Sequence, residues 1–205
     1  KDSIKVRENS PLPKHMVNNY ANTKWMAECM LRESSLPYVI LRPRALVGRG
    51  DTVIMPRLIR SRLEGKLKIM GSGNNMVDLT PVSNMVEAVR LSIFTPNCNE
   101  AYNISNGEPV NLWESINSIL TAIGLPAIKN KIPYPILYLA ALIMEFNARF
   151  LNGKEPVLTR YSVGVLAKTF TFEIQKAKEK LNYKPIQTTA QAMEEFVKWY
   201  KEKES

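Results

Sequence analysis

A helical segment followed by a short apolar run constrains the fold of this chain most strongly. Residues 18–34 show helical periodicity and are rich in good helix formers. Leu36-Pro37 ends that segment, and residues 38–41 then form an all-apolar run that closes at Arg42-Pro43. A strand that is apolar at every position is typical of a parallel sheet, in which both faces are covered. The pattern therefore predicts a helix, a turn and a fully buried strand of a parallel α/β sheet.

The rest of the chain alternates short strands with helices before it becomes mainly helical. Two short strands are expected around the turn Gly71 to Asn75, and Ser83 is expected to cap the helix that follows them. Asn111, with Glu114 three positions later, predicts a capping box. Further helices are predicted over 56–65, 84–94, 134–151, 156–166, 173–181 and 189–203, and further strands over 101–104 and 170–172.

Composition excludes several classes of protein. The 205 residues are 45% hydrophobic and 23% charged, which is typical of a globular chain and not of a disordered or collagen-like one. Cys29, Cys98 and the single His15 show no metal-ligand spacing, so that no metal site is expected. The first residues contain no apolar signal-peptide core, which favours a reducing cytoplasmic location.

The positive charge of the chain is concentrated at one end. The net charge is +9, and the first 70 residues contain fourteen basic and six acidic residues. A basic region can face nucleic acid, a membrane surface or an anionic small ligand. Nucleic acid is not expected as a partner, because the basic residues are not interleaved with aromatic ones.

The nine glycines do not form a phosphate-binding loop. Gly48-x-Gly50 is followed three residues later by Val53, and Gly71-x-Gly73 by Met76. Neither completes the G-x-G-x-x-G fingerprint of dinucleotide-binding turns, and no G-x-x-x-x-G-K-S/T is present. The chain therefore has no phosphate loop of its own.

Tyr20 and Lys24 are the pair that could carry chemistry. They lie four residues apart in the predicted helix, so that both side chains project from one face. A phenol is a poor acid or base at neutral pH, but a nearby ammonium group favours the phenolate and lowers the pKa of a phenol. Such a group can accept the proton of a substrate hydroxyl while hydride leaves the adjacent carbon, and a cofactor must accept the hydride. The alternative is a surface tyrosine beside a Lys24–Glu28 helix pair.

Five sequence blocks, spread over most of the chain, carry a resemblance. They are residues 19–24 (NYANTK), 41–48 (LRPRALVG), 76–82 (MVDLTPV), 102–108 (YNISNGE) and 176–185 (KAKEKLNYKP). In this order they resemble the extended short-chain dehydrogenase/reductase family, also called the NAD-dependent epimerase/dehydratase family. The five blocks together are far more specific than Tyr-x-x-x-Lys alone.

The resemblance implies an α/β fold with two parts. Residues 1–54 and 84–104 would be the C-terminal portion of a Rossmann-type parallel sheet that binds NAD or NADP. Residues 55–83 and 105–205 would be a smaller, mostly helical substrate domain. The family's glycine-rich turn and catalytic Ser/Thr precede the tyrosine, where this sequence has nineteen residues. The N-terminal βαβ units are therefore expected to be absent, and this chain alone is expected to bind NAD(H) weakly.

The resemblance also implies the site residues. Tyr20 would be the acid–base, and Lys24 would also bind the hydroxyls of the nicotinamide ribose. The residues expected beside the nicotinamide are those that follow the predicted strand, in agreement with ligand binding beyond the carboxyl ends of parallel strands. They are Pro43, Arg44, Ala45 and Leu46.

Two features bear on the substrate. Val77 stands where family members that use nucleotide sugars commonly place an Arg. The apolar residues 163–167 stand where such members often have a charged segment. Two charge-assisted contacts to a diphosphate are therefore missing. The apolar residues 134–146 could be part of the core, a lid over an apolar pocket or a helix in contact with a membrane surface. Their setting resembles the 3β-hydroxysteroid dehydrogenase branch of the family.

This branch implies an NAD(P)-dependent oxidoreductase that acts on a secondary alcohol or ketone of a bulky apolar substrate, similar to a 3β-hydroxysteroid or a β-hydroxy acid. The alternatives are a nucleotide-sugar epimerase or dehydratase, and a non-catalytic binding relative that lacks the glycine-rich turn. A homodimer formed through the helix of Tyr20 is a further expectation of the resemblance.

Overall fold

The structure is a computed structural model that describes residues 2–13, 16, 18–148, 156 and 158–204. Its strands are Ser3–Val6 (β1), Val39–Pro43 (β2), Leu46–Val47 (β3), Ile69–Met70 (β4), Met76–Val77 (β5), Thr80–Pro81 (β6), Glu100–Ile104 (β7), Val110–Asn111 (β8), Lys131–Ile132 (β9) and Phe170–Phe172 (β10). Its helices are Asn19–Glu33 (α1), Ile54–Leu63 (α2), Val82–Ile93 (α3), Leu112–Ala122 (α4), Tyr134–Asn147 (α5), Arg160–Ala167 (α6), Gln175–Lys180 (α7) and Thr189–Glu204 (α8). The predicted α/β class is confirmed.

The longest strand pair joins β2 and β7. The two strands are parallel, with Val39 opposite Glu100 and Pro43 opposite Ile104. Helices α3 and α7 pack on this pair, where Tyr102 and Tyr183 are fully buried. The parallel pairing is the arrangement that the apolar segment before Pro43 predicts.

A second sheet brings distant segments together. Its strand order is β1-β10-β5-β8, with β1, β10 and β5 parallel and β8 antiparallel to β5. Ser3 lies opposite Phe170, and Phe170 lies opposite Val77. The two-residue pairs β3–β6 and β4–β9 are also parallel. These pairings place β6 and β10 beside the residues that follow β2.

The largest apolar core lies between α2, α4 and α8. Trp113 and Leu120 of α4 are buried there with Ile59 of α2 and Phe196 of α8. Asn111 caps α4 by accepting hydrogen bonds from the amides of the first turn, which confirms half of the predicted capping box; a reciprocal bond from the Glu114 side chain is not formed among the described residues. Burial of each large side chain stabilises the fold by about 1.5–3 kcal/mol.

Helix α1 is held to the sheet mainly by charge. None of its residues is buried, whereas Glu28 and Arg42 of β2 form a two-pronged ion pair with nitrogen–oxygen distances of 2.9 and 2.5 Å. Arg42 also donates a hydrogen bond to the carbonyl of Glu8 at 3.1 Å. Met26 and Met30 are exposed on the same helix. The predicted homodimer through this helix stays a prediction.

Two local predictions were wrong. The strand expected to be fully buried has only Ile40 buried, while Val39 and Leu41 are half-buried, because β7 is its only partner strand among the described residues. Ser83 does not cap α3, which begins one residue earlier after Pro81. The Ser83 hydroxyl instead donates a hydrogen bond to the side chain of Gln187.

The strands on either side of the turn Gly71 to Asn75 exist, but they do not pair with each other. Strand β4 pairs with β9, and β5 pairs with β10 and β8. Partner strands that lie at least 33 residues away in sequence replace the neighbouring strand. The turn therefore connects two sheets and is not the tip of a hairpin.

The apolar helix α5 is buried on one side only. Leu137 and Ala141 are buried, whereas Ile136, Leu139 and Ile143 are exposed. The predicted continuation of this helix over residues 149–151 lies outside the described residues. Within the described part of the chain, no helix is long and apolar enough to span a bilayer. Contact of residues 134–146 with a membrane surface stays a prediction.

Candidate functional site

The first turns of α1 carry the predicted acid–base pair. The Asn18 side chain caps the helix by accepting a hydrogen bond from the Ala21 amide at 2.8 Å. Tyr20 and Lys24 project from one face, and the Lys24 ammonium lies 5.7 Å from the centre of the Tyr20 ring. Tyr20 is 68% exposed. Neither the phenol nor the ammonium forms a hydrogen bond or ion pair within the residues that the structure describes, so both are available to a ligand.

Helix α1 runs antiparallel to β2. Only five residues, 34–38, separate the end of the helix from the start of the strand, while Glu28 in the middle of the helix contacts Arg42 near the end of the strand. Tyr20 precedes Glu28 by eight residues, which is about 12 Å along the helix axis. Tyr20 therefore lies beyond the carboxyl end of β2, on the side of the sheet edge where Pro43 begins the following loop.

The loop after β2 is fixed by Thr80 of β6. The Arg44 amide donates to the Thr80 hydroxyl at 3.1 Å, and that hydroxyl donates to the Arg44 carbonyl at 2.6 Å. The Thr80 amide donates to the carbonyl of Ala45, which has a φ of +39°. A non-glycine residue in this region carries strain, so that the fully buried Thr80 is needed to hold it. Thr80 lies in one of the five family blocks, but no local pattern in the sequence points to this role.

The Arg44 side chain points away from the backbone of this loop towards β10. Its guanidinium carbon lies 4.4 Å from the centre of the Phe170 ring. Burial lowers the pKa of Arg44, and the nearby groups of Tyr161 and Asp78 act in the opposite direction. The buried Nε atom has no hydrogen-bond partner, and the guanidinium forms no ion pair with any described residue.

Asp78 is a charged group acting on this arginine to which the sequence gave no role. It is fully buried, and its Oδ2 accepts a hydrogen bond from the Phe172 amide. Burial raises the pKa of the Asp78 carboxyl, while the Phe172 amide, the Ser105 hydroxyl and the Arg44 charge limit the rise. The Oδ1 atom accepts no hydrogen bond of good geometry from a described residue. Asp78 and Arg44 thus influence each other's charge without forming an ion pair.

The predicted nicotinamide contacts fall into two groups. Pro43, Ala45 and Leu46 are exposed, whereas Arg44 is half-buried. No hydrogen bond joins Tyr20 or Lys24 to these four residues within the described part of the chain. Their contact with a cofactor stays a prediction. Among the described residues no group of three or more His, Cys, Asp or Glu could hold a metal ion, and His15 lies outside them.

Comparison with known proteins places this geometry in a family. The family model described as "NAD dependent epimerase/dehydratase family" matches residues 2–105, just over half of the chain. A solved structure of UDP-glucuronic acid 4-epimerase from Bacillus cereus in complex with NAD has the same fold, with a TM-score of 0.68 at 23% identity over 98% of this chain and 57% of the epimerase.

Curated relatives are similar over nearly the whole chain. The 2-alkyl-3-oxoalkanoate reductase of Shewanella oneidensis is 30% identical over 94% of this chain and 54% of its own length. The mouse (Mus musculus) sterol-4-alpha-carboxylate 3-dehydrogenase, decarboxylating, is 28% identical over 93% of this chain and 56% of its own length. The chain thus spans about half the length of these relatives. It belongs to the NAD-dependent epimerase/dehydratase family.

Proposed function

We propose that this chain is part of an NAD(P)-dependent oxidoreductase that interconverts a secondary alcohol and a ketone on a bulky apolar substrate. The observation that carries the proposal is the pair Tyr20 and Lys24, both unpartnered in the described chain, on one helix face beyond the carboxyl end of β2. Ligands of parallel sheets bind at that edge. The family match and the names of the relatives support the same reaction class.

The chemistry assigned to the two side chains is a proton transfer. In oxidation, the Tyr20 phenolate accepts the hydroxyl proton of the substrate while the carbonyl double bond forms and the C–H electron pair departs as hydride. The Lys24 ammonium stabilises the negative charge of the phenolate. A bound nicotinamide supplies the hydride acceptor in this direction and the hydride donor in the reverse direction. In reduction, the Tyr20 phenol donates its proton to the developing alkoxide.

The residues present fit part of a nicotinamide dinucleotide site. The free ammonium of Lys24 can donate hydrogen bonds to ribose hydroxyls, and Pro43 to Leu46 form a loop that Thr80 holds in place. The sequence offers no glycine-rich loop for the diphosphate. We therefore assign Tyr20, Lys24 and the Pro43 loop to the nicotinamide half of NAD or NADP, and assign no residue of this chain to the phosphates.

The substrate class follows from the relatives and from the charge pattern. A 3-oxoalkanoate and a sterol 4-carboxylate with its reacting group at carbon 3 share one arrangement, a carboxylate separated by one carbon from the carbon that is oxidised or reduced. Both substrates are otherwise apolar. We propose that this chain acts on a β-hydroxy or β-oxo acid of this kind. Val77 and the apolar residues 163–167 argue against a nucleotide sugar.

The test uses the complete polypeptide that carries this chain, with NAD(H) and NADP(H) in separate assays. Tyr20→Phe is expected to lower kcat for a 2-alkyl-3-hydroxyalkanoate by about 100-fold or more, the range of general acid–base catalysis. Lys24→Met is expected to lower kcat and to raise KM for the cofactor. Asn22→Ala, exposed on another face of the same helix, is the matched control and is expected to keep wild-type kinetics.

The outcomes separate this proposal from its alternatives. Wild-type kcat in Tyr20→Phe would contradict the assigned role of the tyrosine. Activity with UDP-sugars and none with hydroxy acids or hydroxysteroids would establish the epimerase or dehydratase alternative. Cofactor binding without turnover of any of these substrates would establish the non-catalytic binding relative.

A further inference from the structure

Arg44 is a partly buried cation without an anionic partner among the described residues. Its guanidinium stacks on Phe170 at 4.4 Å, its Nε atom is shielded from water and unbonded, and no carboxylate in the described part of the chain forms an ion pair with it. Removing a charged group from water is costly unless the group is paired or hydrogen-bonded, which is why buried arginines usually have such partners. Within the part of the chain that the structure describes, the environment of Arg44 therefore lacks an anion.

Asp78 does not complete this environment. Its charge interacts with Arg44, but the two groups form no ion pair, and the Asp78 Oδ1 atom accepts no hydrogen bond of good geometry from a described residue. The hydrogen bond that Asp78 accepts comes from the Phe172 amide. Asp78 is thus directed to the backbone of β10, and no carboxylate of the described residues takes up the donors of the Arg44 guanidinium.

The backbone of Arg44 is rigidly held, and its side chain is not fully covered. Arg44 is half-buried, and Tyr161 of α6, whose charge acts on it, is 44% exposed. The Arg44 backbone is held by three hydrogen bonds, to Thr80 in both directions and to the Ile104 carbonyl. A cation on a fixed backbone beside an aromatic ring is preorganised for a planar anion such as a carboxylate.

Arg44 lies at the same edge of the sheet as the proposed acid–base pair, where it can contact another group of the same substrate. Arg44 directly follows Pro43 at the carboxyl end of β2, the same edge beyond which Tyr20 projects. The backbone of this loop therefore faces the cofactor position assigned above, while the guanidinium reaches towards β10 and α6. A substrate that spans from Tyr20 to Arg44 would present its reacting hydroxyl and an anionic group at the same edge.

We propose that Arg44 binds the carboxylate of the substrate and thereby selects β-hydroxy and β-oxo acids over neutral alcohols and ketones. The inference rests on the proposed oxidoreductase function and adds the residue that recognises the acid. Phe170 supplies the ring on which the guanidinium is held. A nucleotide phosphate presents the same kind of anionic oxygens, so the experiment must distinguish it from a carboxylate.

The experiment compares a 2-alkyl-3-hydroxyalkanoate with its uncharged methyl ester in the complete polypeptide. The ratio of kcat/KM for the acid to that for the ester is expected to fall by about 10- to 100-fold in Arg44→Met, the value of a charge-assisted hydrogen bond. Arg44→Lys is expected to give an intermediate ratio, because lysine keeps the positive charge but lacks the paired N–H donors of the guanidinium. Arg90→Met, which removes an exposed cation on α3, is the control and is expected to keep the wild-type ratio.

A structural role for Arg44 makes the opposite prediction for stability. If Arg44 mainly supported the fold, Arg44→Met would lower the melting temperature, whereas loss of an unpaired buried charge is expected to leave it unchanged or to raise it. A lower melting temperature together with an unchanged acid-to-ester ratio would overturn the inference. An equal fall of kcat/KM for the acid and for the ester in Arg44→Met would also overturn the inference. So would a weaker affinity of this variant for UDP-sugar with an unchanged kcat/KM for the acid.

Calorimetry separates this inference from the proposed function. A 2-alkylalkanoate, which lacks the reacting hydroxyl, is expected to bind the wild type and to bind Arg44→Met about 10- to 100-fold more weakly. If the wild type turns over no alcohol or ketone, the proposed function fails, and this binding measurement still decides the role of Arg44. If turnover is present but the alkanoate binds both forms equally, only the role of Arg44 fails.

Discussion

The ion pair between Glu28 and Arg42 is expected to determine whether α1, the helix that carries Tyr20 and Lys24, stays on the sheet. Helix α1 has no buried residue, so that apolar packing contributes little to its attachment. The pair makes two hydrogen bonds, at 2.9 and 2.5 Å, between side chains that are only 17% and 21% exposed. A hydrogen bond to a charged group contributes about 1.5–3 kcal/mol. Because the pair keeps some contact with water, we expect a coupling free energy of about 2 kcal/mol, at the lower end of the range.

A double-mutant cycle measures this coupling. Glu28→Gln, Arg42→Met and the double variant are unfolded in urea, and Trp25, which lies on α1, reports the detachment of the helix by fluorescence. Glu87 and Arg90 form the matched control pair, with the same two-pronged geometry at 2.7 Å for both bonds, but the Arg90 side chain is 59% exposed. The control pair is expected to show a much smaller coupling, because water screens it.

The same variants connect stability with function. Loosening α1 moves Tyr20 and Lys24 away from the Pro43 loop, so Glu28→Gln is expected to lower kcat although Glu28 touches neither the substrate nor the cofactor. Equal coupling free energies for the two pairs would refute the argument that burial sets the strength of this attachment. An unchanged kcat in a variant with a loosened α1 would refute the link to the active site.

Two further predictions concern stability. Burial raises the pKa of Asp78 above its ordinary value of 3.8, so the native state binds a proton more tightly than the unfolded state. The stabilisation of the native state by this proton is fully present below pH 3.8 and is lost as the pH rises through the raised pKa. Asp78→Asn is therefore expected to become more stable relative to the wild type as the pH rises through that window in urea titrations, and a pH-independent difference would contradict this. Gly73→Ala would place a Cβ atom 2.8 Å from the Ile69 Cγ2 atom at a φ of +81°, whereas Gly50→Ala at a φ of +87° meets no atom within 4 Å. Gly73→Ala is expected to lower the free energy of unfolding by about 1–3 kcal/mol more than Gly50→Ala does. Equal losses in chemical denaturation would show that the contact with Ile69 adds nothing to the backbone strain.

Local sequence patterns determined the elements of the site. Helical spacing and good helix formers were enough to predict α1 and the shared face of Tyr20 and Lys24, because helix formation depends on dihedral preferences within a few residues. The apolar run before Pro43 predicted a parallel strand, because a strand that is apolar at every position is typical of a parallel sheet. The order of the family blocks predicted the fold and the reaction class. The proposed domain boundaries stay predictions.

Only the tertiary structure decided what surrounds these elements. The strands on either side of the turn Gly71 to Asn75 pair with distant strands because strand partners are chosen by pairing over the whole chain, and local turn residues do not encode that choice. The burial of Val39 and Leu41 likewise depends on which elements cover β2, and their apolar character could not specify it.

Arg44 shows the difference most clearly. Its position after Pro43 was visible in the sequence, but its environment is made by Phe170 and Asp78, which lie 126 and 34 residues further along the chain. The free energy of a charge depends on the dielectric and the partners around it, and these are set by long-range contacts that no local periodicity records. The sequence by itself determined which residues could do chemistry, and the tertiary structure decided which charge has no partner among the described residues.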